Sequence, residues 1–317
     1  MATAEHTNPS LEREWQETEP LIKSDLSMLD KMYWVFVTIR LALTIAVFIV
    51  IYPYVEDFLS SLVWYLRYIT ILGMGSLIWL PINFVTTLFS DSIYKGRVLR
   101  TIISVVMPGA HHSDSSTLSE KEVNQSRLYT LNKLHYHEAQ DNIAGTVGTT
   151  EFDFNEILVK DFERHFDEDL PGALKEYRGF FMKVRLANPL DGCTILSTNK
   201  EIVSNASEAD DMTPFEAETL SNKFHTCTTN PSEAARLLTP AFATRLSETL
   251  SLYSSICHYT EFSLSFCGQY MYVMSDNDND FFEVCETLEE ARKDFNMLHL
   301  IKRITTIPAL TQAKSFF

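Results

Sequence analysis

The chain has 317 residues, 45% apolar and 21% charged, with 10 Gly and 11 Pro, a balance that excludes both a disordered chain and a fibre. A formal charge of −16 and a pI near 5.0 exclude a general nucleic-acid binder, because neutralising phosphates takes a basic surface, and argue against acidic substrates. The mean hydropathy of −0.05 hides an asymmetry, with apolar residues concentrated early and acidic ones on either side of them.

Residues 1–20 are polar and acidic, with Glu12, Glu14, Glu17 and Glu19 close together, and are expected to be disordered. Leu21, Ile22, Leu26, Leu29 and Met32 then recur at helical spacing, which predicts a juxtamembrane helix or an extension of the element that follows. Tyr33–Tyr54 is a run of 22 residues with one charge, Arg40, and Tyr68–Leu88 a run of 21 with none. A hydrocarbon core about 30 Å thick needs roughly 20 helical residues, so the runs predict a two-helix transmembrane hairpin with spans 33–54 and 68–88 inside a region 21–100. A cleaved signal peptide fits poorly, since 32 mostly acidic residues precede the first run and no A-x-A site follows.

Lys23 and Lys31 before the spans and Lys95, Arg97 and Arg100 after them, against Glu56, Asp57 and Arg67 between, predict a multi-pass inner (cytoplasmic) membrane protein with both termini cytoplasmic. The lipid bilayer is then one partner, through the two spans. Arg40 needs a partner, a headgroup or water, and snorkelling is favoured because neither span contains an acidic residue. Gly73 and Gly75 read as close helix packing rather than as part of a pore.

A linker is expected over 101–121, where AHHSDSSTLSEK replaces the apolar pattern, followed by an α+β cytosolic domain over 122–308 and a tail over 309–317. Arg178–Leu186, Thr194–Ser197 and Phe224–Thr228 read as strands. Glu261–Phe266 and Gln269–Met274 flank Cys267 and Gly268 as a hairpin. Helices are announced by caps: Asn230 with Pro231 and Glu233, Thr239 with Pro240 through about Leu252, and Thr287 with Glu290 ahead of the stripe Leu288, Ala291, Phe295, Leu298, Leu300 and Ile301.

The run FHTCTTNPSEAARLLTPAFATRLSETL (Phe224–Leu250), EFSLSFCGQYMYVM (Glu261–Met274) and FFEV (Phe281–Val284), preceded in order by GTVGTTEFDF (Gly145–Phe154), RGFFMKV (Arg178–Val184) and GCTIL (Gly192–Leu196), resembles the bacterial membrane proteins grouped as domain of unknown function 3137. The likeness covers roughly 143–284 and extends to the two-span layout. It implies architecture and no catalytic residues. The polar insert Asn199–Thr219 and the acidic N-terminus depart from the family pattern.

Among residues that carry chemistry, Cys193, Cys227, Cys257, Cys267 and Cys285 are odd in number, lack CxxC spacing and follow the second span, so a reducing cytosol is expected to leave them as thiols. His111 and His112 lie in the linker. His135 and His137 would share one face on a strand, with Glu138 or His165 to complete a metal site, but a helix would separate them; surface polarity is favoured. The run Asp276–Asp280 lacks the Gly and the terminal Glu of a calcium loop, and Glu163, Asp167, Glu168 and Asp169 read as a solvated face. There is no G-x-S-x-G, H-E-x-x-H or phosphate-loop motif, and Gly145 and Gly148 are too few for a dinucleotide fingerprint. No catalytic, cofactor-binding or metal residue is assigned, and no cofactor is expected.

From Ala110 onward 18 Lys and Arg stand against 32 Asp and Glu, so the domain should stand off anionic lipid. These features predict a membrane-anchored binding or scaffold module for a protein partner or membrane complex at the cytoplasmic face, of unknown oligomeric state. The alternative is an enzyme acting on a lipid or envelope precursor, which would require His135, His137, His165 and the Glu163–Asp169 acids to converge in one pocket.

Overall fold

The computed structural model describes residues 9–61, 73, 79–80, 84, 94–115, 118–129, 135–161, 176–209, 212–217, 220, 223–256, 259, 261–277, 281–282 and 287–311. They fall into two compact units: a smaller one over Pro9–Thr101 and Glu283–Ala291, and a larger one whose described residues run over Ile102–Phe282 and from Arg292.

In the smaller unit, helix α1 (Pro9–Ser61) runs for 53 residues and contains Pro20 and Pro53. It begins inside the acidic stretch. Leu11, Trp15, Thr18 and Ile22 recur every three or four residues and are buried, which gives the first turns an inner face. Farther along, the Thr38 and Thr44 hydroxyls donate to the carbonyls of Trp34 and Arg40, both at 2.8 Å, and so hide their polarity against the helix itself. A π-helical segment, Tyr94–Leu99, carries Arg97, which lies 4.0 Å from Asp25.

Among the described residues, no helix is long and apolar enough to cross a membrane. The expected transmembrane hairpin is therefore corrected, and with it the multi-pass inner-membrane placement, the cytoplasmic termini and the bilayer as a partner. The first apolar run is a stretch within α1, a longer helix that opens on polar, acidic turns and buries the charged Arg40 midway along. Of the second run, only Gly73, Trp79, Leu80 and Phe84 are among the described residues. Local hydropathy reports composition, whereas a span also requires an uninterrupted apolar helix of the right length.

The expected α+β architecture is present in the larger unit. In chain order the elements are α2 (Arg100–Val106, whose first two residues belong to the smaller unit), β1 (Ala110–Ser113), α3 (Glu120–Gln125), β2 (His135–Val147), β3 (Thr150–Asp161), β4 (Glu176–Arg185), β5 (Cys193–Ser197), α4 (Lys200–Ala209), β6 (Thr213–Pro214), β7 (His225–Thr228), α5 (Pro231–Leu237), α6 (Pro240–Ile256), β8 (Phe262–Cys267), β9 (Tyr270–Asp276) and α7 (Leu288–Thr311, whose first four residues belong to the smaller unit). The strands form one antiparallel sheet in the order β1-β2-β3-β4-β9-β8-β5-β7-β6. Its edge strands have four and two residues, and the shorter ends on Pro214, which limits further strand addition. The segment 101–121, read as a linker, supplies most of α2 and the strand β1.

Both faces of the sheet are covered. On one, Ile157, Val159, Phe181, Cys193, Ile195, Tyr272 and Met274 cluster with Val123 of α3 and with Val203 and Ala206 of α4. The polar insert thus contributes helix α4 to the core. On the other, Phe180 meets Tyr253 of α6 at 5.7 Å between ring centroids, and Phe266 meets Phe242 of α6 at 5.8 Å. Such aromatic pairs add about 0.5–1.5 kcal/mol each beyond area burial.

Expected caps are in place. The Asn230 side chain accepts from the Glu233 backbone at the start of α5, and Thr287 and Glu290 form a reciprocal pair at the start of α7. The hairpin turn lies one residue later than expected, at Gly268 and Gln269, with Cys267 paired to Tyr270 inside the ladder. Gly268 takes a φ of 58°, the left-handed conformation that a two-residue hairpin turn uses and glycine adopts without strain.

Candidate functional site

A cavity of about 540 Å³ opens where β8 ends and β5 and β9 begin, lined in part by Gln125, Arg127, Asp191, Cys193, Cys267 and Tyr270. Backbone pairing holds its walls. The amides of Leu186 and Leu190 donate to the Gln269 and Gly268 carbonyls at 2.9 and 2.8 Å, tying the segment before β5 to the hairpin turn. The buried Glu233 carboxylate at the N-terminus of α5 accepts from the amides of Asp191 at 3.3 Å and Gly192 at 2.9 Å, and Thr229 Oγ1 accepts from the Cys193 amide at 2.8 Å. A Cβ on Gly192 would lie 2.6 Å from the Asn230 Cβ, so α5 packs this closely only against glycine.

Cys193 and Cys267 face each other across the β5–β8 ladder and form a disulfide, with a Cα–Cα distance of 4.5 Å. That separation is the one expected of a non-hydrogen-bonded antiparallel pair, where opposed side chains lie closest. The expectation that all five cysteines remain thiols is corrected for these two. Cys227 is buried on β7 outside this disulfide, its sulfur 3.9 Å from the Met212 sulfur, while Cys257 and Cys285 lie outside the described residues.

Beside the disulfide, burial pushes the Tyr272 phenol up to about 12, with the neighbouring Tyr270 and Glu122 acting in the same direction, so it stays protonated. Lys183 Nζ lies 2.7 Å from Glu122 Oε1 and 4.4 Å from the centroid of the Tyr270 ring. Burial raises the Glu122 carboxyl, but hydrogen bonds from Lys183 and Ser119 outweigh it and hold the group below the usual carboxylate range. Asp153, farther along the same face, is raised by burial although Asn155 and Asn142 both donate to it.

Other residues singled out in the sequence are dispersed. His112, on β1, places Nε2 2.9 Å from Asp141 Oδ1 and Nδ1 3.7 Å from Asp114 Oδ1. These three carry ligand atoms close enough together to hold a metal ion, yet the two ring nitrogens address different carboxylates, and the arrangement as it stands is one hydrogen bond to Asp141 with Asp114 at ion-pair distance. Asp141 reaches His112 from a bulge in β2, where its φ is 45°. Exposed His111 precedes it on β1. His135, His137 and Glu138 lie on β2, with His135 opposite Asp161 and His137 opposite Val159. His165, Glu163, Asp167, Glu168 and Asp169 lie outside the described residues, as do residues 278–280 of the acidic run. The start of that run is tied to the sheet: Asp276 Oδ1 accepts from the Glu261 amide at 2.6 Å, and the Asn277 amide donates to the Arg178 carbonyl at 2.9 Å.

In the smaller unit Arg40 is buried, its guanidinium carbon 4.6 Å from the centroid of the Trp79 ring. The expected snorkelling is corrected: the charge is buried against a ring face, a cation–π contact. On the same helix Trp34, Ile49 and Val50 are 61%, 65% and 63% exposed, with Tyr33, Val35, Ile39, Leu41, Leu43 and Ile45 also exposed.

The family described as "Protein of unknown function (DUF3137)" matches residues 175–309, from the start of β4 to the end of α7, and the chain resembles that family. No curated protein matches. A solved structure, the mycobacterial trehalose monomycolate transport factor A (TtfA), is similar at 12% identity with a TM-score of 0.32, covering 63% of this chain and 93% of its own; a likeness at that level fixes neither fold nor function.

Proposed function

We propose that the chain is a binding or scaffold module for a protein partner rather than a catalyst. The observation that carries this reading is the apolar surface of α1, where Trp34, Ile39, Leu41, Ile45, Ile49 and Val50 are all exposed. So many large apolar side chains exposed along one helix are uncommon on an isolated protein and mark where another molecule is taken up. In the larger unit the acids that shape the site have structural work: Glu233 holds the loop before β5, Glu122 completes a capping box, and Asp153 anchors two asparagines. That distribution supports binding.

The test places a photo-crosslinking amino acid at position 34 or 49 of the full chain, and at exposed position 248 on α6 as a control. One protein captured from both α1 positions and not from 248 is the expected result. Label recovered only on lipid, or only on the chain itself, would overturn the protein-partner reading.

A further inference from the structure

We infer that the Cys193–Cys267 disulfide is a thiol-exchange site, with Cys267 as the sulfur attacked and a low-molecular-weight thiol bearing a carboxylate and an ammonium group as the reactant. Both cysteines line the cavity. Cys193 is 5% exposed, whereas Cys267 is partly open to solvent at the last position of β8, so the cavity gives an incoming thiolate better access to Cys267. Access to one sulfur governs which is attacked, and exposed disulfides are the labile ones among structural and regulatory bonds.

The lining suits such a thiol. Arg127 brings a guanidinium for a carboxylate, and Asp191 a carboxylate for an ammonium, with Gln125 and Gln269 as further hydrogen-bonding groups. Ser265 Oγ lies 3.2 Å from Cys267 Sγ and orients the sulfur. In the step itself the thiolate sulfur bonds to Cys267 Sγ as the Cys193–Cys267 bond breaks, and Cys193 leaves with the electron pair and takes up the proton that the thiol lost. One thiol and one disulfide thus become a mixed disulfide on Cys267 and a thiol on Cys193, with no external oxidant or reductant. Since Cys193 stays opposite Cys267 in the ladder, re-closure expels the added thiol and regenerates the bond. No protein partner is needed for this chemistry.

Glutathione is the probe. In the full chain under native conditions, opening of the bond, followed by quenching with N-ethylmaleimide and peptide mapping, is expected to be first order in glutathione. A rate independent of glutathione would show that the bond opens only on unfolding and would overturn the inference. In Cys193→Ser, oxidised glutathione is expected to load Cys267, releasing one glutathione thiol, and to leave Cys227 unmodified; adding Arg127→Gln is expected to slow that loading by about three- to tenfold without slowing loading by 2-hydroxyethyl disulfide, which has no carboxylate. Equal loading of Cys193 in Cys267→Ser would also overturn it. If Cys193→Ser does not fold, the concentration dependence in the unmodified chain decides alone.

Discussion

Reducing the Cys193–Cys267 bond should loosen the larger unit by an amount set by the length of chain that it closes. The two cysteines are 74 residues apart in sequence, and the intervening segment carries α4, β6, β7, α5, α6 and most of β8. Treating the bond as a constraint on the unfolded chain, a loop of that length removes about 15 cal/mol/K of conformational entropy, which is about 4.4 kcal/mol at 25 °C. In a unit of roughly 200 residues the entropy of unfolding is about 0.4 kcal/mol/K, so the expected fall in melting temperature is about 10 °C. The assay is thermal unfolding followed by circular dichroism, oxidised against reduced, in the unmodified chain, with a thiol titration to show that both sulfurs are free. Comparing redox states of one sequence avoids the cost of a serine hydroxyl at the buried Cys193. A shift under about 2 °C with both thiols titrated would refute the loop-closure reasoning and mean that the ladder alone fixes these strands in both states.

Replacing Glu233 by Gln keeps the shape but removes the charge that accepts from the Asp191 and Gly192 amides; a loss of about 1–2 kcal/mol in urea unfolding is expected, and none would show that the charge is immaterial. Gly192→Ala sets a methyl 2.6 Å from the Asn230 Cβ and 3.1 Å from Glu233 Oε2, and should cost about 1–3 kcal/mol by displacing α5, read by the same unfolding curve. Burial, aided by the charges of Lys302 and Arg303, pulls His299 from 6.5 down to about 4 in the folded chain, so the unfolded chain takes up the extra proton first as pH falls. The stability tied to a neutral His299 is therefore whole above pH 6.5 and lost between 6.5 and 4, up to about 3 kcal/mol; His299→Gln should flatten that window and leave the opposite-signed contribution of the raised Asp153.

What could be read ahead of the structure was local. Caps at Asn230, Thr239 and Thr287 each depend on residues within four positions, and each opens a helix where expected. The long strands β2 and β3 escaped because their patterns do not keep one period: Phe152 and Phe154 are apolar on one face of β3, then Ile157 and Val159 on the other, and the β2 bulge between Gln140 and Ile143 shifts its register. A strand covered on both faces can change its apolar side midway, and the alternation that reveals a half-buried strand then disappears. The disulfide was hidden for a related reason. No spacing rule joins cysteines 74 residues apart, and only the register that sets Cys193 opposite Cys267 brings them together. Arg40 makes the same point about chemistry: the lack of an acid in either apolar run favours snorkelling, but the side chain is buried with its guanidinium over the Trp79 ring, a partner that carries no formal charge to mark it in the sequence. The apolar runs erred in the other direction, since composition alone fixed their hydropathy while the helix that contains the first run was decided by residues beginning at Pro9.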